Sequence, residues 1–205
     1  MNRWLLMTAL AGCGRTPLDV LDSEDRDCAA EPFASEVRAY EPDRAGLPPT
    51  HPNYLDPTRA LGAPDYYIPP GERGVGSVGL GQGGRLELGF SGCLWGHDRT
   101  DEPDLILYEA GPDIEGMSVF VQVDGESVAL VDPTRLFNPQ SRFFHVADVG
   151  GGTTAIDLDA VFPPGVEVVL DAVMFIDDPA QGTGSERAAG ADIDAVEMLV
   201  SAESR

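Results

Sequence analysis

Asp104-Leu105-Ile106-Leu107-Tyr108-Glu109, set inside the longer stretch Gly79 to Gly111, decides how this chain is read. Apolar and aromatic residues fill the space between two carboxylates. So short an apolar run reads as a strand buried on both faces, with its acids at the two rims of the sheet. Upstream, Arg85-Leu86-Glu87-Leu88-Gly89-Phe90 alternates with period two, so Leu86, Leu88 and Phe90 share one face. The same signals recur outward. Val37–Tyr40, Ser118–Val123, Phe143–Ala147, Val166–Leu170, Ala172–Ile176 and Asp192 to about Val200 all read as strands. Asp124-Gly125 is a hairpin signal, which makes Val128–Val131 the return strand of Ser118–Val123. Asp177-Asp178-Pro179 stops the strand before it, and Gly150-Gly151-Gly152 is a turn. No segment holds a helical period for more than about two turns. The expectation is an all-β domain, an antiparallel β-sandwich or jelly roll.

Composition agrees. The 24 Gly and 17 Pro break helices and populate turns. The net charge is -22, from 35 acids against 13 bases, and every base is Arg. That excess repels phosphate backbones and so excludes nucleic acid as a partner. It equally opposes an electrostatic hold on an anionic bilayer. Cations, neutral sugars and basic surfaces remain compatible.

The first residues carry the most specific signal. Arg3 is a positive start, Trp4 to Leu10 is a short apolar run, and Leu10-Ala11-Gly12-Cys13 looks like a bacterial lipobox. The run is too short to span a bilayer. Its implication is cleavage before Cys13 and lipidation of that residue, with several acyl chains giving stable anchorage. The chain then divides into a signal peptide (1–12), an acidic tether (13–35) and a β-sandwich domain (36–203). The protein is expected in the cell envelope, at the outer membrane or cell surface. Lipid takes one of the three cysteines, leaving Cys28 and Cys93 for a disulfide in an export compartment; two free thiols are the alternative.

Several motifs are weaker than they look. Gly79-Leu80-Gly81-Gln82-Gly83-Gly84 matches G-x-G-x-x-G by letter, but a strand follows it, where a dinucleotide site needs a helix N-terminus. The glycines serve a tight turn instead. His51, His97 and His145 lack metal-ligand spacing, so zinc is not expected. No Ser stands in G-x-S-x-G. Carboxylate pairs for glycoside hydrolysis carry no information in a chain this acidic.

Ala60-Leu61-Gly62-Ala63-Pro64-Asp65, Val78 to Phe90, Asp104 to Gly111, Val121-Gln122-Val123-Asp124-Gly125 and Ala189 to Val196 occur in an order that resembles one family of bacterial cell-surface sandwiches, similar to discoidin and galactose-binding-like modules. The resemblance covers roughly Val37 to Val200. It departs at the extra Pro69-Pro70-Gly71 and at Val173-Met174-Phe175-Ile176, where an Arg is expected. It implies a galactose-binding-like fold and, in many relatives, a structural calcium.

Two candidate sites follow. Asp192 and Asp194, two apart in a strand, point to one face. With Asp104, Glu109 and Asp177 they supply the oxygen ligands Ca²⁺ takes, and the resemblance points the same way. The alternative is that these acids cap turns, accept backbone N–H bonds or pair with Arg. No EF-hand spacing occurs. Tyr66 and Tyr67, between Pro64 and Pro69, form a candidate aromatic platform for a sugar ring, whereas Trp95 and Tyr108 read as core. The functional expectation is a non-enzymatic, lipid-anchored module, calcium-stabilised and binding a glycan or another surface component such as a protein. The alternatives are a structural or protein-interaction lipoprotein with no small ligand, and a hydrolase acting on glycans.

Overall fold

The computed structural model describes residues 32–42, 44, 46–70, 75–90, 100–110, 115–123, 129, 131–138, 140–162, 172–181 and 189–199. Their strands are β1 (Glu36–Glu41), β2 (Val78–Gly79), β3 (Arg85–Gly89), β4 (Leu105–Glu109), β5 (Gly116–Gln122), β6 (Phe143–Gly150), β7 (Thr154–Ile156), β8 (Ala172–Asp177) and β9 (Asp192–Met198). They form one five-stranded sheet, β1-β3-β8-β5-β6, and one four-stranded sheet, β2-β9-β4-β7. Every pairing is antiparallel. Among the described residues the helical segments are short 3-10 turns, such as Pro52–Tyr54 and Pro57–Ala60. The all-β sandwich expected from the patterning is the architecture found.

Period-two alternation sets the register. Leu86 stands opposite Phe175 and Leu88 opposite Val173, while in the other sheet Leu105 faces Met198 and Leu107 faces Val196. All of them belong to one buried cluster between the sheets. Each such side chain contributes about 1.5–3 kcal/mol through burial. Residues 32–35 stitch the layers. Ala34 N–H donates to Val196 O at 3.0 Å and Ser35 N–H to Gly89 O at 2.9 Å, so the chain leaves one sheet for the other within two residues.

Three details differ from the sequence reading. β4 is buried on one face only: Leu105 and Leu107 face the core, while Ile106 and Tyr108 are half-buried on the outer face. Two neighbours, β9 and β7, flank it, and the aliphatic run reflects strand propensity as much as burial. Second, the strand that returns beside β5 is β6, not Val128–Val131; β5 has β6 on one edge and β8 on the other, which leaves no free edge. Ala129 is in a 3-10 turn and Val131 in a bend, and 124–128 lie outside the described residues. Third, β2 and β7 escaped the pattern because two or three residues are too few to show a period. Val166–Leu170 lies outside the described residues.

The glycine run is the turn from β2 to β3. Gly81 adopts φ +72°, and a Cβ there would lie 1.9 Å from the Pro42 carbonyl oxygen; at Gly84 it would lie 1.6 Å from Leu80 O. Close backbone approach, not a phosphate, explains these glycines.

Candidate functional site

The five acids named from the sequence fall in three places. Asp104 and Glu109 cap opposite ends of β4. Five residues at about 3.4 Å each put them roughly 17 Å apart, too far to share an ion. Asp104 Oδ2 accepts the Leu158 N–H at 2.7 Å and so tethers the segment after β7.

Glu109 and Asp177 share the other end of the sandwich, between the sheets. Glu109 pairs with core-facing Ile193, and Asp177 ends β8 opposite buried Met117. Asp177 is 4% exposed. Its Oδ2 accepts the Gly83 N–H at 2.8 Å and its Oδ1 the Ala191 N–H at 3.0 Å. One carboxylate on the five-stranded sheet thus holds both the β2–β3 turn and the segment leading into β9. Glu109 Oε2 accepts the Gly152 N–H, and its Oε1 is buried with no hydrogen-bond partner. Burial, chiefly, pushes the Glu109 carboxyl up to about 7; the Gly152 amide opposes the rise and the charge of Asp177 adds to it. Burial likewise raises Asp177 against its two amide bonds.

Asp192 and Asp194 lie on the outer face of β9. A bulge places Asp194 as an extra residue between the Glu109–Ile193 and Tyr108–Ala195 pairs. Ile193 and Val196 face the core, so Asp194 and Ala195 both turn away from it. Asp194 Oδ1 accepts the N–H groups of Asp65 at 3.0 Å and Tyr66 at 3.2 Å, which fixes the candidate aromatic loop onto the sheet. Burial raises the Asp194 carboxyl, the two amides oppose this, and Asp65 adds to it. Asp192 stands opposite Gly79, where an added Cβ would meet Pro49 Cγ at 2.9 Å and Asp192 Oδ1 at 3.0 Å. The segment around Pro49 and Tyr54 therefore covers this carboxylate.

The two tyrosines divide in role. Tyr66 is half-buried, and its phenol is raised by burial first, then by Asp192 and Asp194. Tyr67 is 60% exposed, as is Ile68. Tyr67 is nonetheless fixed at its backbone: its N–H donates to Val75 O at 3.1 Å, and the Val75 N–H returns to Tyr67 O at 3.0 Å. An exposed ring on a pinned backbone is a preformed contact.

Sequence reasoning placed Tyr108 in the core. It points outward instead, beside Ala195, and donates to Glu197 Oε2 at 2.7 Å, which with burial and the Glu197 charge pushes its phenol up to about 12. Tyr108 and Glu197 thus join Asp194 on the outer face of the four-stranded sheet. The available signal was the spacing of Tyr108 from Leu107, which puts them on opposite faces of one strand. Tyr40 was also missed. Its hydroxyl donates to Gly79 O at 2.7 Å, and burial with the nearby Asp192 charge holds that phenol far above its ordinary value.

Among the described residues, no group of three or more His, Cys, Asp or Glu side chains is gathered as a metal ion needs. Nor, among the described residues, is there a nucleophile relay where Ser118, His145 and Asp148 meet. Ser118 Oγ donates to Asp148 Oδ1 at 2.7 Å, and His145 Nε2 lies 2.9 Å from that same oxygen, so serine and histidine each use the acid rather than each other. Cys13, Cys28, Cys93 and Trp95 lie outside the described residues. Compared with family models, with curated proteins and with solved structures, the chain matches none.

Proposed function

We propose that this protein is an exported, lipid-anchored binding module of the bacterial cell envelope, a galactose-binding-like sandwich rather than an enzyme, whose outer four-stranded face takes a glycan. The observation that carries this reading is Tyr67, 60% exposed on a backbone pinned by Val75 and, one residue earlier, by Asp194. A tyrosine ring offers a rigid apolar face at low entropic cost and a polar tip, which suits a sugar with its C–H face and hydroxyls. Carboxylates beside it accept hydroxyl protons strongly. No cation enters this reading, because the five acids divide among three places.

On a glycan array, the wild type should bind a restricted set of oligosaccharides, and Tyr67→Ala should weaken the best of them at least tenfold. Its melting temperature should stay within a degree or two, since so exposed a ring contributes little to folding. An empty array for the wild type would instead favour a protein-interaction lipoprotein. Anchorage has its own test. The full chain expressed in a bacterium should partition into the detergent phase, and Cys13→Ala should move it to the aqueous phase. A wild type found only in the aqueous phase would contradict the anchor.

A further inference from the structure

Residues 65–67 alternate in exposure. Asp65 and Tyr67 are exposed, and Tyr66 between them is half-buried. In an extended stretch, side chains two apart share a face, so the carboxylate and the ring leave the same side of the loop. The loop lies along Val75 and Gly76. Tyr67 and Val75 exchange backbone hydrogen bonds, and the residue after Val75, Gly76, takes φ +99°. A Cβ at Gly76 would lie 2.5 Å from Asp65 Oδ1 and 2.8 Å from Tyr66 Cα. Glycine alone leaves room for the carboxylate there. From the other side, Asp194 accepts the N–H groups of Asp65 and Tyr66. Asp65 is thus held at its backbone and seated at its side chain, although it is exposed. Among the described residues its carboxylate has no hydrogen-bond or ion-pair partner.

Ring and carboxylate have complementary tasks toward a sugar. The ring covers a C–H face. The carboxylate only accepts, so it selects hydroxyl donors, and a charged acceptor holds them about twice as strongly as a neutral one. It also repels any anion brought to the same distance. The charges of Asp192 and Asp194, which reach Tyr66 beneath it, have the same sign.

We propose that Asp65 sets the specificity of the Tyr67 contact: it accepts hydroxyl hydrogen bonds from a neutral sugar stacked on that ring and turns away uronic-acid and sulfated glycans. This rests on the glycan reading above and narrows it. Gly76 is the positioning residue, since its missing side chain is what lets the carboxylate sit beside the ring.

The test uses the full chain in detergent on an array of neutral, uronic-acid and sulfated oligosaccharides. The binders should be neutral. Calorimetry then compares the best of them with its counterpart oxidised to a carboxylate at C6. The neutral member should bind at least tenfold tighter at low salt, and that gap should narrow severalfold in 1 M NaCl. Asp65→Asn keeps an acceptor oxygen and removes the charge. It should weaken the neutral ligand about threefold or more and narrow the gap at low salt, with the melting temperature within a degree or two of wild type. Tyr67→Ala, by contrast, should weaken both ligands alike. An acidic glycan among the tightest binders, or an Asp65→Asn protein that keeps the wild-type gap, would overturn the inference while the glycan reading stood. An array empty for the wild type would overturn both.

Discussion

Asp177→Ala should destabilise the protein by about 3 kcal/mol or more, the largest effect expected of any single polar substitution in the fold. Charge-assisted hydrogen bonds contribute about 1.5–3 kcal/mol each, and this carboxylate accepts two. Alanine would leave the Gly83 and Ala191 amides without an acceptor. Those amides belong to the β2–β3 turn and the lead into β9, so the lesion falls on both sheets at once. Asparagine offers a single acceptor oxygen and should lose about half as much. Urea unfolding followed by fluorescence measures both, with Glu36→Gln, an exposed charge at 3.5 Å from Arg38, as the control expected within about 0.5 kcal/mol. Parity between Asp177→Ala and that control would mean that the carboxylate does not hold the sheets together.

The fold was legible where the chain keeps a period for five residues or more, as in β3, β5, β8 and β9. There the alternation predicts which side chains reach the core, and Leu86, Val119, Phe175 and Ile193 all do. It was not legible in β2 and β7, whose two and three residues exist because β9 and β4 offer them free edges. The hairpin reading of Asp124-Gly125 failed for a related reason. A turn signal is local, whereas the pairing of β5 is decided by which strands fill its two edges. The candidate site was legible in part. The prolines flanking Tyr66 and Tyr67 announce a loop, and there Tyr67 is exposed while Tyr66 is half-buried. The grouping of five acids could not be read, since a strand's two ends are far apart and its two faces opposed. Asp104 and Glu109 were separable from sequence alone by strand length. Separating Asp192 and Asp194 from Asp177 required the register of β9, including the bulge at Asp194 that no pattern in Asp192-Ile193-Asp194 announces.

The sandwich should lose stability as pH rises from about 4.5 to about 8, and Glu109 should account for a distinct share of the loss. Its carboxyl stands at about 7 in the fold against an ordinary 4.5. Between those values the folded state holds a proton that the unfolded chain has released, so unfolding becomes easier as pH increases. Every tenfold difference in proton affinity between the two states corresponds to about 1.4 kcal/mol. Discounted for solvent screening of a half-exposed group, the expected loss is about 1–2 kcal/mol. Burial raises Asp177 and Asp194 as well, and they act in the same sense. Asp56, Asp132 and Asp148, lowered chiefly by hydrogen bonds, act in the opposite sense and only in acid, where protonation removes those bonds. General repulsion in a chain of net charge -22 also grows with pH, so the wild type alone does not isolate Glu109. Glu109→Gln does. The amide keeps an oxygen for the Gly152 N–H, carries no charge toward Asp177, and should be more stable than wild type at pH 8 yet indistinguishable from it near pH 4.5. Urea midpoints of the two proteins at pH 4.5, 6 and 8 decide the matter, together with a carboxyl ¹³C titration of Glu109. Parallel pH curves, or a titration midpoint near 4.5, would show that the buried end of β4 keeps its carboxylate ionised, with Gly152 and water meeting the whole cost of burial.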